Sequence, residues 1–228
     1  MNRTAVSAEA PSVCGLLADL HAHRVATMSP AELQVNIDQR RELEETADRS
    51  RFVKTGDIVE RFSLPEVHGG TVDLDRLLLS GPVVLLFFRY ESCPACNIAL
   101  PHYQKVLYPA LHDLGVTLVA ISPQVPDKLV AIKDRLGLAT VASDVDNSLA
   151  RRFGITFTSN AASRKLAMSK GSDLGLTLGT GKWELPMPAV VVIDGDHVVR
   201  FADIHPDWMV RTEADVVIDA VSSCLDLR

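Results

Sequence analysis

The sequence predicts an α/β protein, a sheet covered by helices on both faces with a helical extension at its N-terminal side. Three observations predict it. Val83-Val84-Leu85-Leu86-Phe87-Phe88 is wholly apolar and of strand length, as a strand buried on both faces requires. Strand-like runs then alternate with segments of helical periodicity. The apolar run also opens into a two-cysteine turn, Cys93-Pro94-Ala95-Cys96, after which Ile98, Leu100, Tyr103 and Val106 take helical spacing.

In chain order, residues 12–50 read as helices standing apart from the rest. Ser29 is an N-cap, Pro30 fits the first helical position and Glu32 adds early negative charge. The following Leu33, Ile37 and Leu43 make a narrow apolar stripe, expected to pack on the core. Phe62-Ser63-Leu64-Pro65 and Gly69-Gly70-Thr71-Val72 read as a short hairpin. A short helix follows over 73–79. Strand 83–90 leads to helix 94–112, strand 116–122 to helix 126–136, and a short strand at 140–142 to a helix over 146–153 capped by Asp146. Residues 155–187 are rich in Ser, Thr and Gly. They read as an irregular insertion at a substrate entrance, with one helical candidate over Ala161–Met168. Strands 189–194 and 197–202 form a hairpin about Gly195, and a helix over 211–225 ends the fold.

The chain has 228 residues, 47% hydrophobic and 23% charged, enough for a full core. The net charge of -6, with no long basic run, argues against nucleic acid. No apolar run approaches the roughly 18 residues needed to span a bilayer. Met1–Pro11 is polar and the Cys14–Leu20 stretch is broken by Asp19, so no export signal is read and a reducing cytoplasm is expected. Four cysteines there fit catalytic or unpaired thiols better than a disulfide framework. Cys14 and Cys224 have no paired motif; each is an ordinary thiol, or a resolving or intersubunit one.

The chemistry concentrates at Cys93. A cysteine at or just before a helix N-terminus faces unpaired N–H groups and the positive end of the helix dipole, which favour the reactive thiolate. Cys96, one turn on, is close enough to close a disulfide. Zinc needs four ligands, and neither His21/His23, His102/His112 nor His197/His205 supplies a second pair at ligand spacing. No metal and no cofactor is expected.

The strand into Cys93-Pro94-Ala95-Cys96, Pro101 in the following helix, and Pro188 just before a late strand together resemble the thioredoxin superfamily. Pro188 is similar to the cis-proline that faces the cysteine pair in that fold. The segments Gly56-Asp57, Gly81-Pro82-Val83-Val84, Phe88-Arg89-Tyr90, Ile121-Ser122-Pro123-Gln124, Ser143-Asp144 and Trp183-Glu184-Leu185-Pro186 narrow the resemblance. They look like the peroxiredoxin-like branch of the alkyl hydroperoxide reductase/thiol-specific antioxidant family, over residues 52–227. The resemblance implies a thioredoxin-like fold with a central mixed sheet. It divides the chain into a helical extension over 1–50 and a thioredoxin-like domain over 51–228.

It also implies a thiol peroxidase acting on hydrogen peroxide or organic hydroperoxides. Cys93 becomes a sulfenic acid, Cys96 resolves it as a disulfide, and a thioredoxin-type or small-thiol donor reduces the pair. The chain departs from the family pattern. Leu86 and Tyr90 stand where a Pro and a Thr are usual, Pro188 where an Arg is, and Phe87 where thioredoxins carry a buried acid. Arg89 is then the nearest cation and Tyr90 the nearest hydroxyl. The intact pair with Pro188 also fits a thiol–disulfide oxidoreductase. A third reading is a redox sensor with slow turnover, a homodimer through residues 12–50.

Overall fold

The computed structural model describes residues 11–137 and 140–226. The polar segment expected to lack an export signal lies, but for Pro11, outside the described residues. Two helices come first, α1 (Val13–Thr27) and α2 (Pro30–Thr46). Ser12 and Ser29 cap them through side-chain oxygens that accept from Gly15 N and Glu32 N. Strands β1 (Ser63–Pro65) and β2 (Thr71–Asp73) form the expected hairpin, and Asp73 caps α3 (Leu74–Leu78). Strand β3 (Val83–Phe87) runs through the turn containing both cysteines into α4 (Cys96–Asp113). Then come β4 (Thr117–Ser122), α5 (Val130–Leu136), β5 (Val141–Ser143) and α6 (Ser148–Arg152). The insertion holds β6 (Thr156–Thr158), α7 (Ala161–Ser169), α8 (Leu174–Leu178) and β7 (Glu184–Pro186). Strands β8 (Ala189–Ile193) and β9 (Val199–Ile204) precede the last helix, α9 (Ala214–Leu225).

The central sheet has the order β5-β4-β3-β8-β9. β3 pairs parallel with β4 and antiparallel with β8, so the sheet is mixed. Every residue of β3 and β8 is buried. Successive strand side chains point to opposite faces, so both faces of the sheet's centre are covered. β3 ends at Phe87, where it pairs with Ile121 and Ala189, and Phe88 N still donates to Ile121 O. The cysteine turn therefore sits at the carboxyl end of a central parallel strand, where α/β sheets place their sites.

Three expectations are corrected. The insertion is regular rather than irregular: β6 and β7 pair antiparallel across its base, with α7 and α8 between them. Gly179 ends α8 at φ 79°, and a Cβ there would lie 2.6 Å from Val125 Cγ2, so the close seat of the insertion on the loop after β4 needs a glycine. The cap of α6 is Asp144, not Asp146. Asp144 accepts from Leu149 N and Ala150 N at 3.0 and 2.9 Å, whereas Asp146 turns left-handed and pairs with Lys182 at 2.7 Å. Every peptide bond among the described residues is trans, so Pro188 is not a cis-proline. Met187 N bonds Ile155 O and Pro188 O accepts from His205 N, which carries the chain in an extended trans path straight into β8.

The N-terminal helices join the body of the protein. Val13, Leu17 and Leu43 are part of its core. The first two amides of α1, Val13 and Cys14, donate to the Glu213 carboxylate at 2.9 Å each, an anion at a helix N-terminus.

Candidate active site

Cys93 and Cys96 are both about 1% exposed, and the pair is a dithiol. Cys93 sits in the turn before α4, with Cys93 N donating to Tyr90 O and Asn97 Nδ2 bracing the carbonyls of Glu91 and Cys93. Cys96 opens α4. The Cys96 thiol donates to Cys93, and this bond does most to lower the Cys93 pKa. The Cys96 amide and the charges of Arg89 and Arg211 add to it against the opposing effect of burial, bringing Cys93 to about 5. Cys96 moves the other way. Burial, its donated hydrogen bond and the neighbouring thiolate push it well above the ordinary thiol value. At neutral pH the pair is one thiolate and one thiol, and the thiolate is Cys93.

Arg89 leaves β3 and reaches Cys93, its Nη1 4.0 Å from Sγ. Among the described residues no carboxylate pairs with it. Three aromatic rings hold it instead, with the guanidinium carbon 4.5 Å from the Trp208 centroid, 5.2 Å from Tyr90 and 5.9 Å from Phe157. Trp208 stacks on Phe157 in turn. The Arg89 charge favours Tyr90 as phenolate, but burial and the nearby thiols outweigh it, so Tyr90 stays a neutral phenol. Pro188 is buried next to Ala189, which pairs with Phe87, and so lies at the cysteine end of the sheet.

The motif at 121–124 has a local role. Gln124 accepts from Glu91 N at 2.6 Å and donates to Thr177 O at 3.0 Å, tying the cysteine turn to the insertion. Ser122 Oγ donates to Arg89 O. Glu91 is half-buried and faces Arg135 at 3.9 Å.

A model of the AhpC/TSA family matches residues 55–202, more than half of the chain and all of the site's central strands. The chain belongs to the AhpC/TSA family. Among curated relatives, the thiol-disulfide oxidoreductase ResA of Halalkalibacterium halodurans is 33% identical over 94 residues, 41% of this chain and 51% of that protein. The peroxiredoxin Bcp of Escherichia coli K12 is 32% identical over 106 residues, 45% of this chain and 65% of that protein. The chain thus spans about half to two thirds of the length of these relatives. In structure, the peroxidoxin BcpB of Mycobacterium tuberculosis superposes with a TM-score of 0.58 at 24% identity, over 75% of this chain and 97% of that one, which establishes the fold.

In this AhpC/TSA chain, three site residues escaped the sequence reading. Arg211, in the loop before α9, is buried and acts electrostatically on both cysteines. Its Nη1 donates to the carbonyls of Trp208 and Val210, while its Nη2 has no partner. Trp208 covers Arg89 from the same loop. Arg24, on α1, lies close enough for the Cys93 charge to favour its protonation, against burial, Arg40 and Arg89. The extension also fixes that loop, through an Arg40–Asp207 ion pair at 3.0 Å and Asp207 N donating to Glu44. Arg24 carried a usable signal: Val13, Leu17, Leu20 and Arg24 succeed one another at helical spacing, which sets a cation on a buried face.

Proposed function

We propose that this chain is a thiol peroxidase, with Cys93 the nucleophile and Cys96 the resolving thiol, reducing hydrogen peroxide or small organic hydroperoxides. The observation that carries this reading is the burial of the Cys93 sulfur, about 1% exposed, beside the guanidinium of Arg89, which no carboxylate among the described residues neutralises. A site so closed suits a small oxidant. The thiolate attacks one peroxide oxygen, an S–O bond forms, the O–O bond breaks, and the leaving oxygen departs as an oxyanion that takes up a proton. Arg89 and Arg211 stabilise the negative charge that moves onto that oxygen, and Tyr90 contributes a neutral phenol beside Arg89. The Cys96 sulfur then displaces water from the Cys93 sulfenic acid, giving the Cys93–Cys96 disulfide. Pro188, with a trans bond, shapes the end of the sheet beside the pair.

A thioredoxin-type or small-thiol reductant returns the dithiol in a reducing, cytoplasmic compartment. Residues 1–50 serve as the helical extension and 51–228 as the catalytic domain. A homodimer through residues 12–50 has less support, because Val13, Leu17 and Leu43 are spent on the chain's own core. A second reading, exchange with small disulfides, is favoured by the thiolate–thiol split of the pair and by the likeness to ResA.

Single-turnover oxidation followed by mass spectrometry tests the assignment. Cys93→Ser should abolish peroxide consumption. Cys96→Ser should stop at a trappable sulfenic acid on Cys93, one oxygen heavier. Peroxide consumption by Cys93→Ser would overturn the role of the nucleophile, and a Cys93 disulfide in Cys96→Ser that of the resolving thiol.

A further inference from the structure

A cavity of about 130 Å³ adjoins the cysteine site and shares Arg89 and Tyr90 with it. Arg89 and Trp208 form its inner wall, α2 contributes Asn36 and Gln39, and the insertion contributes Ser163 and Trp183. Its lining holds one charged residue, the guanidinium of Arg89, and no carboxylate. That guanidinium lies against three aromatic rings and the Cys93 sulfur, and no carboxylate among the described residues neutralises it. Water occupies about 30 Å³ per molecule, so the cavity holds about four groups of that size, a carboxylate and a carbon or two.

We propose that this cavity seats the carboxylate end of a small anionic oxidant, so that the preferred substrate is a peroxide bearing a carboxylate a few atoms from its O–O bond. The assignment rests on the peroxidase reading and names its substrate class. Arg89 lines the cavity and carries Nη1 to 4.0 Å from the Cys93 sulfur. One guanidinium thus reads both ends of the oxidant. With a peroxy acid, the Cys93 thiolate takes the outer OH oxygen, the O–O bond breaks and the carboxylate leaves. The sulfur is oxidised by two electrons and the peroxide reduced by two, the proton staying on the sulfenic oxygen.

The two tryptophans of the chain, Trp183 and Trp208, both line the cavity, so intrinsic fluorescence reports its occupancy directly. Reduced protein titrated with succinate should show a saturable change that succinamide does not produce. Oxidation of Cys93 by monoperoxysuccinate should be at least tenfold faster than by peroxyacetic acid, which lacks the second carboxylate. Ala167→Met, which narrows the cavity from α7, should bring that ratio toward one. A rate ratio within twofold in the unsubstituted protein, or a fluorescence response that never saturates, overturns the proposal while leaving peroxidase activity toward hydrogen peroxide intact. Saturable succinate binding with no oxidation by any peroxide instead brings down the peroxidase reading, and the substrate assignment with it.

Discussion

At the scale of single residues, the proposed activity turns on which sulfur is charged and what holds it so. A hydrogen bond from Cys96 and two nearby guanidiniums set the Cys93 pKa near 5, against burial. Alkylation of Cys93 by iodoacetamide should therefore rise with pH to half its maximum near pH 5, and lie flat through neutrality. Arg89→Met should move that midpoint upward. An unmoved midpoint would mean that Arg89 acts on the substrate alone. The same shift makes a statement about stability. Folding lowers the Cys93 pKa from an ordinary thiol value of 9.0, so ionisation stabilises the reduced protein fully above about pH 9 and fades as pH falls toward 5. The stability lost in Cys93→Ser should accordingly grow from pH 5 to pH 9, read from urea midpoints. Cys93 and Cys96 were legible in the sequence because they and the strand before them are local. Arg211 and Trp208 lie more than a hundred residues away and reach the site only through the tertiary fold, so no spacing pattern announced them.

Elements carry the next level. The helix starts were readable where the cap lies next to the helix, as at Ser29 and Asp73. α6 was misread because its cap stands four residues before it, across a left-handed turn at Asp146 and Asn147. Asp144 is buried and satisfies two amides and the Ser148 hydroxyl. Asp144→Ala should cost roughly 2 kcal/mol in urea unfolding. Glu213 does comparable work for α1, from the far end of the chain. Glu213→Ala should cost about 1 kcal/mol and loosen the loop of Trp208 and Arg211, seen as faster alkylation of Cys93. An unchanged alkylation rate would show that α1 is a passive cover. The insertion was the least legible part. Its strands are three residues each and pair only with one another, too short for a two-residue period to stand out from a Ser-, Thr- and Gly-rich background.

On the scale of the whole molecule, the order of strands and helices was readable from residue 83 to 153. That stretch alternates, and its central strand is apolar on both faces. What the sequence did not disclose is that the extension, the insertion and the last loop meet around Arg89 and the cysteine turn. The site is consequently more buried than an isolated two-cysteine motif implies. Leu85→Ala, at the centre of the sheet and fully buried, should cost about 2–5 kcal/mol while leaving the Cys93 ionisation midpoint in place, since the site's charges come from elsewhere. The most direct test of the peroxidase assignment is stopped-flow oxidation of the reduced protein by hydrogen peroxide, with mass spectrometry of the product. The expected result is a rate orders of magnitude above that of an ordinary thiol, ending in a Cys93–Cys96 disulfide. A rate no faster than a free thiol, together with rapid reduction of a small disulfide, would contradict it.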